Sequence, residues 1–122
     1  MRFAILHHTG WRGDHYDFML ESGSILRTWT IRSPEFDRPQ AAEANADHRT
    51  EYLNFEGEIS GGRGKVRRVA GGTYDTISES ERELVIELAG RRLRLSRLEG
   101  IKWEIAAVPE SSPRSLERPS SP

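Results

Sequence analysis

Three of the four histidines of this chain lie near its start, in His7-His8 and His15-Tyr16-Asp17. Side chains alternate faces along a β-strand, so His15 and Asp17 share one face of the segment 15–21, while Tyr16, Phe18 and Leu20 line the other. A histidine from the preceding strand reaches the same spot across a hairpin. The product is a facial His, His, Asp set, a divalent-metal pattern that leaves coordination positions open. The same residues would also suit the polar solvent face of an ordinary hairpin. His7 and His8 point to opposite faces, so they compete for a single ligand position. The fourth histidine opens a second group, His48-Arg49 with Tyr52. It offers a proton donor, a guanidinium for phosphate and a hydroxyl close together, the complement a phosphoesterase needs beside its metal. Taken alone, it also reads as surface polar residues at the start of a helical turn.

The elements that must position these residues are mostly strands. The segment 2–8 is apolar and β-prone, with Phe3, Ile5 and His7 on one face and Ala4, Leu6 and His8 on the other. A loop with glycine on both sides of Trp11 leads to 15–21, a tight turn at Ser22-Gly23-Ser24, and a third strand over 25–31. The polar stretch 33–46, with Pro34 and Pro39, is expected to be loop with a short helix over 40–46. After the glycine turn Gly61-Gly62-Arg63-Gly64, two strands are expected over 65–69 and 73–77, joined at Gly71-Gly72. Strands follow over 84–88, 92–96 and 101–105. Leu93 and Leu95 point inward there, and Arg92 and Arg94 outward. Seven or eight short strands with glycine turns indicate an all-β domain, a small closed antiparallel β-barrel or a sandwich, with short helical segments. Trp29 and Trp103 are expected in its core.

At 122 residues the chain has room for one modest core. The expected division is a barrel domain over 1–108 and a disordered tail over 109–122, where Ser, Pro, Arg and Glu take over. Cysteine is absent, which excludes disulfides and thiolate metal sites and fits a cytoplasmic location. No apolar run suggests a membrane span, and the start is too short for a signal peptide. The net charge of -1 gives no global basic signature for nucleic acid. Of the 18 basic residues, however, only Lys65 and Lys102 are lysines. Arginine suits bidentate phosphate contacts, although GC-rich coding produces the same bias. Arg67, Arg68, Arg92, Arg94 and Arg97 either track a nucleic-acid backbone or form a solvated strand face. Trp11 either stacks on a nucleobase or packs over its hairpin.

The ordered series His8, His15-Tyr16-Asp17-Phe18-Met19-Leu20-Glu21, Trp29, Asp47-His48, Tyr52, Phe55-Glu56-Gly57 and Gly61 to Gly64 resembles the 3′-phosphoesterase domain of bacterial DNA ligase D and its short stand-alone relatives. The resemblance runs over roughly residues 2 to 106. It implies a β-barrel with the site in a basin on the barrel, with His8, His15 and Asp17 as manganese ligands. Zinc or iron would also suit these donors. It implies that His48 and Tyr52 contact phosphate and that the domain trims 3′ ends of DNA or RNA, removing a terminal ribonucleoside and then the 3′-phosphate. A separately encoded end-joining ligase or polymerase is the partner it suggests. Met19 departs from the pattern, because the family has arginine there. If the chain is an enzyme, Arg49 and Arg63 are expected to supply the missing guanidinium. If not, the barrel is a module that binds phosphate ends without cleaving them.

Overall fold

The computed structural model describes residues 1–109. Nine strands form: β1 (Arg2–Thr9), β2 (His15–Ser22), β3 (Ile25–Ile31), β4 (Gln40–Arg49), β5 (Gly57–Glu58), β6 (Lys65–Glu79), β7 (Glu83–Leu88), β8 (Arg91–Glu99) and β9 (Lys102–Ala107). One turn of 3₁₀ helix, Thr50–Leu53, follows β4. The antiparallel order is β1-β2-β3-β4-β9-β8-β7-β6, and β6 returns to β1, so eight strands close into a barrel. The two-residue β5 is added to the start of β6. Closure removes the open edges that would otherwise invite pairing with other chains. The expected all-β barrel is therefore the fold. Apart from Pro109, the expected disordered tail lies outside the described residues.

The interior is filled by alternate residues of almost every strand. Phe3, Ile5, Phe18, Leu20, Trp29, Ile86, Leu93, Leu95, Trp103 and Ile105 belong to one buried cluster. Trp29 meets Trp103 edge-on, with ring centroids 5.4 Å apart. Phe36 plugs one end, 5.3 Å from the Phe18 ring. Arg91 holds this plug, its guanidinium donating to the Glu35 and Phe36 carbonyls. Burying each such aromatic or branched side chain is worth about 1.5–3 kcal/mol, so this cluster carries the fold.

A second, smaller cluster lies on the outside of the barrel wall: Ala4, Leu6, Met19, Leu26, Leu53 and Val66, with Tyr52, Phe55 and Ile59 against it. The 3₁₀ turn and the segment after it cover this part of the wall. Strands β1 and β2 are thus buried on both faces, and the candidate site continues the outer one.

Two expectations need correction. The segment 40–46 is not helical; it is the first part of β4, held between β3 and β9. Its Ala, Glu and Asn residues are poor strand formers, and pairing on both sides overrides that preference. Gly71-Gly72 does not separate two strands; β6 runs through it without a break. A side chain at Gly71 would run into the Arg68 guanidinium, and one at Gly72 would press on the Phe3 ring at 3.3 Å. The glycines permit close approach rather than a turn.

Candidate metal centre

The β1–β2 ladder pairs Leu6 with Asp17 and ends with His8 opposite His15. This register brings His8, His15 and Asp17 together on the outer wall, with one possible ligand atom of each within 4.8 Å of the others. All three side chains are largely buried. His7 faces the other way and stacks on Tyr16, rings 4.6 Å apart. Of the two adjacent histidines, His8 is the one at the site.

The hydrogen bonds set the ring tautomers. Nε2 of His8 lies 2.7 Å from the Arg63 carbonyl oxygen, and Nδ1 of His15 lies 3.3 Å from that of Gly13. A carbonyl only accepts, so each of these nitrogens carries a proton. The other ring nitrogens face Asp17: Nδ1 of His8 is 3.3 Å from Oδ2, and Nε2 of His15 is 3.4 Å from Oδ1. In the neutral tautomers three acceptors converge with no proton between them. Such a cluster needs positive charge, from ring protonation or from a cation. One divalent ion satisfies all three donors at once, and N–H donation to backbone carbonyls is how metal-binding histidines are usually oriented. The donor set thus fits a metal ion.

The Arg63 carbonyl reaches His8 because the glycine turn folds onto the end of β1. Ile59 N–H donates to the Gly64 carbonyl at 2.8 Å, closing the turn. Gly64 has φ +78°, and a Cβ there would fall on the Thr9 carbonyl oxygen. Only glycine permits both the backbone angle and the approach.

His48 reaches the outer wall through a bulge. Thr28 pairs with Asn45 but Leu26 with His48, so β4 carries an extra residue there. Without it, Asn45 and His48, three residues apart, would face opposite ways. Nδ1 of His48 donates to the Ala46 carbonyl at 3.1 Å and the Thr28 hydroxyl oxygen at 3.0 Å. Thr28 can accept this because its own hydroxyl donates to the Leu26 carbonyl at 3.1 Å. Nε2 is left for a ligand. Tyr52 packs edge-on against the His48 ring, 5.5 Å away.

A basin of about 560 Å³ on this wall is lined by His8, His15, Asp17, His48, Arg49, Tyr52 and Arg63. Every candidate site residue read from the sequence borders it. Trp11, offered by the sequence as a base stacker or a cover for its hairpin, borders it too, as do Arg12 and Glu43, which the sequence did not assign to a site. The Trp11 ring stacks on His8 at 5.5 Å, and the Arg12 guanidinium covers it 4.4 Å from the centroid. With those neighbours Trp11 is a spacer rather than an open platform for a base. Met19 shares the strand face with His15 and Asp17 but is fully buried in the outer apolar cluster. The arginines of β8 are engaged elsewhere: Arg92 pairs with Glu87 at 3.3 Å and Arg94 with Glu83 at 3.2 Å. Arg97 donates to the Gly100 carbonyl at 3.0 Å. That face is a solvated ion-pair lattice.

A closed β-barrel with a His, His, Asp group on its outer wall, next to a basin holding a further histidine, a tyrosine and arginines, defines a small single-barrel protein with a candidate metal centre. The chain matches the family described as the DNA Ligase D 3′-phosphoesterase domain over residues 6–101, and it belongs to that family. It is similar to the "Multifunctional non-homologous end joining protein LigD" of Mycobacterium bovis and the "Multifunctional non-homologous end joining DNA repair protein LigD" of Mycobacterium tuberculosis. Identity to each is 34% over 115 residues, covering 83% of this chain and 15% of the relative. The chain therefore spans a small fraction of the length of these relatives. Among the described residues no helix is long and apolar enough to cross a membrane.

Proposed function

We propose that this barrel is a metal-dependent phosphoesterase that trims 3′ ends of DNA or RNA, removing a 3′-phosphate or a terminal ribonucleoside, in end-joining DNA repair in the cytoplasm. The observation that carries this is the convergence of possible ligand atoms of His8, His15 and Asp17 in the same basin as His48, Tyr52, Arg49 and Arg63. Family membership supports the reaction class. A ligase or polymerase of end joining, carried by a separate chain, is the partner proposed, in keeping with the end-joining relatives the barrel resembles.

His8, His15 and Asp17 would hold the ion, and manganese is the proposed metal, with zinc or iron as the alternatives for these donors. When bound, the ion supplies Lewis-acid polarisation of the phosphoryl oxygens. The chain does the rest. The Arg63 and Gly13 carbonyls keep the ring protons on the far side of both histidines. His48, anchored through Nδ1, presents Nε2 to hydrogen-bond the phosphate or protonate the leaving oxygen. The Tyr52 hydroxyl donates to a phosphoryl oxygen, and Arg49 and Arg63 at the basin wall balance the charge that develops.

A second reading is favoured by one observation: Met19 is sealed in an apolar floor and offers the phosphate nothing. On that reading the barrel grips phosphate ends without turning them over. Single-turnover processing of a 3′-phosphorylated primer, with manganese added to metal-stripped protein, separates the two. The enzyme reading expects manganese-dependent release of phosphate that disappears in His15→Ala. Tight, metal-dependent binding with no turnover under manganese, zinc or iron would establish the binding module instead.

A further inference from the structure

Among the described residues, three other than glycine have left-handed backbone angles: Arg12 (φ 57°), Phe36 (φ 55°) and Ala89 (φ 50°). Side chains with a Cβ adopt this region only when something holds them there. Two of the three have evident local causes. Phe36 is buried as the barrel plug. Ala89 and Gly90, both at positive φ, form the two-residue hairpin turn between Leu88 and Arg91, and the type I′ form of such turns requires positive φ at both positions. Arg12 is exposed, so core packing does not explain it. Glycines on either side, Gly10 at φ 81° and Gly13 at φ 74°, take up the rest of the loop's curvature.

What the angle achieves is placement. It folds the guanidinium back over Trp11, whose ring lies 24° from parallel with that of His8. His8 is in turn 4.7 Å from the His15 ring. A guanidinium is thus coupled through one aromatic ring to the candidate metal centre, and it borders the same basin. Among the described residues it has no ion-pair partner. The Arg63 side chain, by contrast, donates through Nε to the Ser60 carbonyl at 2.8 Å, and Arg92 and Arg94 are paired with glutamates. An arginine in a costly backbone state, oriented by a stack and left without an anion, is arranged to receive one. Its planar fork matches two oxygens of a phosphoryl group.

We infer that Arg12, held by the His8–Trp11–Arg12 stack, binds the phosphoryl group of the nucleic-acid end at the metal centre and gives the basin its preference for a terminal phosphate. This rests on the phosphoesterase reading and adds to it a residue outside the His48 group.

The left-handed angle supplies a clean test. Glycine accepts φ 57° without strain, so Arg12→Gly removes the guanidinium while relaxing the backbone. Affinities of manganese-loaded protein are measured for inorganic phosphate, for an oligonucleotide with a 3′-phosphate and for the same oligonucleotide with a 3′-hydroxyl. Wild type, Arg12→Gly, Arg12→Lys and the surface control Arg92→Gln are compared, with thermal melts alongside. The expected result for Arg12→Gly is a melting temperature at or above wild type. Affinity for the 3′-phosphorylated strand falls roughly tenfold to a hundredfold, as expected for loss of a charge-assisted contact. Affinity for the 3′-hydroxyl strand changes much less, Arg12→Lys is intermediate, and Arg92→Gln matches wild type. Inorganic phosphate follows the 3′-phosphorylated strand if the phosphoryl group alone is read. If wild type prefers the 3′-phosphate and Arg12→Gly retains that preference within twofold, this inference is overturned while the phosphoesterase reading stands. If wild type itself shows neither a preference for 3′-phosphate nor turnover, both fall.

Discussion

The two faces of the β1–β2 hairpin use alternate residues of the same strands for different ends. Inward, Phe3, Ile5, Phe18 and Leu20 meet apolar side chains from around the whole ring. Outward, Ala4, Leu6 and Met19 form a smaller apolar floor, and toward the loop that floor gives way to His8, His15 and Asp17. The inner face serves closure of the barrel. The outer one serves first as footing for the 3₁₀ turn and then carries the candidate ligand set. Stability and ion binding should therefore separate face by face within the same strands.

The largest effect is expected inside. Phe18 is fully buried and packs against Phe3, Trp29 and Phe36. Phe18→Ala should lower unfolding free energy by about 3–5 kcal/mol in urea titrations. A loss confined to metal binding, with the urea midpoint unchanged, would break the comparison. Next comes the outer floor. Met19→Arg would place a guanidinium among Ala4, Leu6, Leu26, Leu53 and Val66. It should cost about 3 kcal/mol or more and give no gain in 3′-end processing. A stable, more active Met19→Arg protein would show that the floor opens readily into the basin.

At the loop end the balance reverses. Asp17→Ala should weaken binding of a divalent ion on the order of a hundredfold or more, read by metal titration. The metal-free protein should change by less than about 1 kcal/mol. Gly64→Ala tests the carbonyl behind His8. It should cost more than the about 1–2 kcal/mol of the left-handed angle alone, because the Thr9 carbonyl must move, and weaken metal binding roughly tenfold, with all three candidate ligands present. Unchanged affinity would mean that the Arg63 carbonyl does not orient the ring.

The smallest effect concerns Tyr74 on the inner face. Its hydroxyl donates to the Glu21 carbonyl at 2.7 Å, and burial pushes its pKa above the ordinary 10.0. A raised folded value means that the contribution is complete below about pH 10 and fades as pH rises toward that value. Tyr74→Phe should be less stable by about 1 kcal/mol at neutral pH, and the gap to wild type should narrow above pH 10. A constant gap across that range would remove the linkage.

Alternation made most of this architecture readable. The faces of 2–8 and 15–21, the inward Leu93 and Leu95, and the core positions of Trp29 and Trp103 follow from a period of two. β4 was hidden because Gln40 to Arg49 holds no large apolar residue, and only its neighbours make it a strand. The sequence of β6 reads as two strands because a glycine pair signals a turn unless crowding by Arg68 and Phe3 is known. At the site, residue types were readable and their supports were not. The groups that orient His8 and His15 are main-chain carbonyls, which carry no side-chain signature. The bulge that turns His48 outward leaves no mark in sequence, and neither does the stack that aims Arg12.

His8 and His15 form the last rung of their ladder, and this has a consequence for how such a site diversifies. Nothing beyond that rung contributes to the β1–β2 register. Gly10 is constrained by its approach to Gly64, but the stretch from Trp11 to Asp14 hangs free of the pairing. Its length and wording can drift, gaining or losing a residue, while the two imidazoles stay opposite each other. The hairpin is in effect a socket with an interchangeable tip. What the tip selects can be rewritten by loop exchange, in nature or at the bench, so long as a carbonyl in the place of Gly13 still accepts from His15.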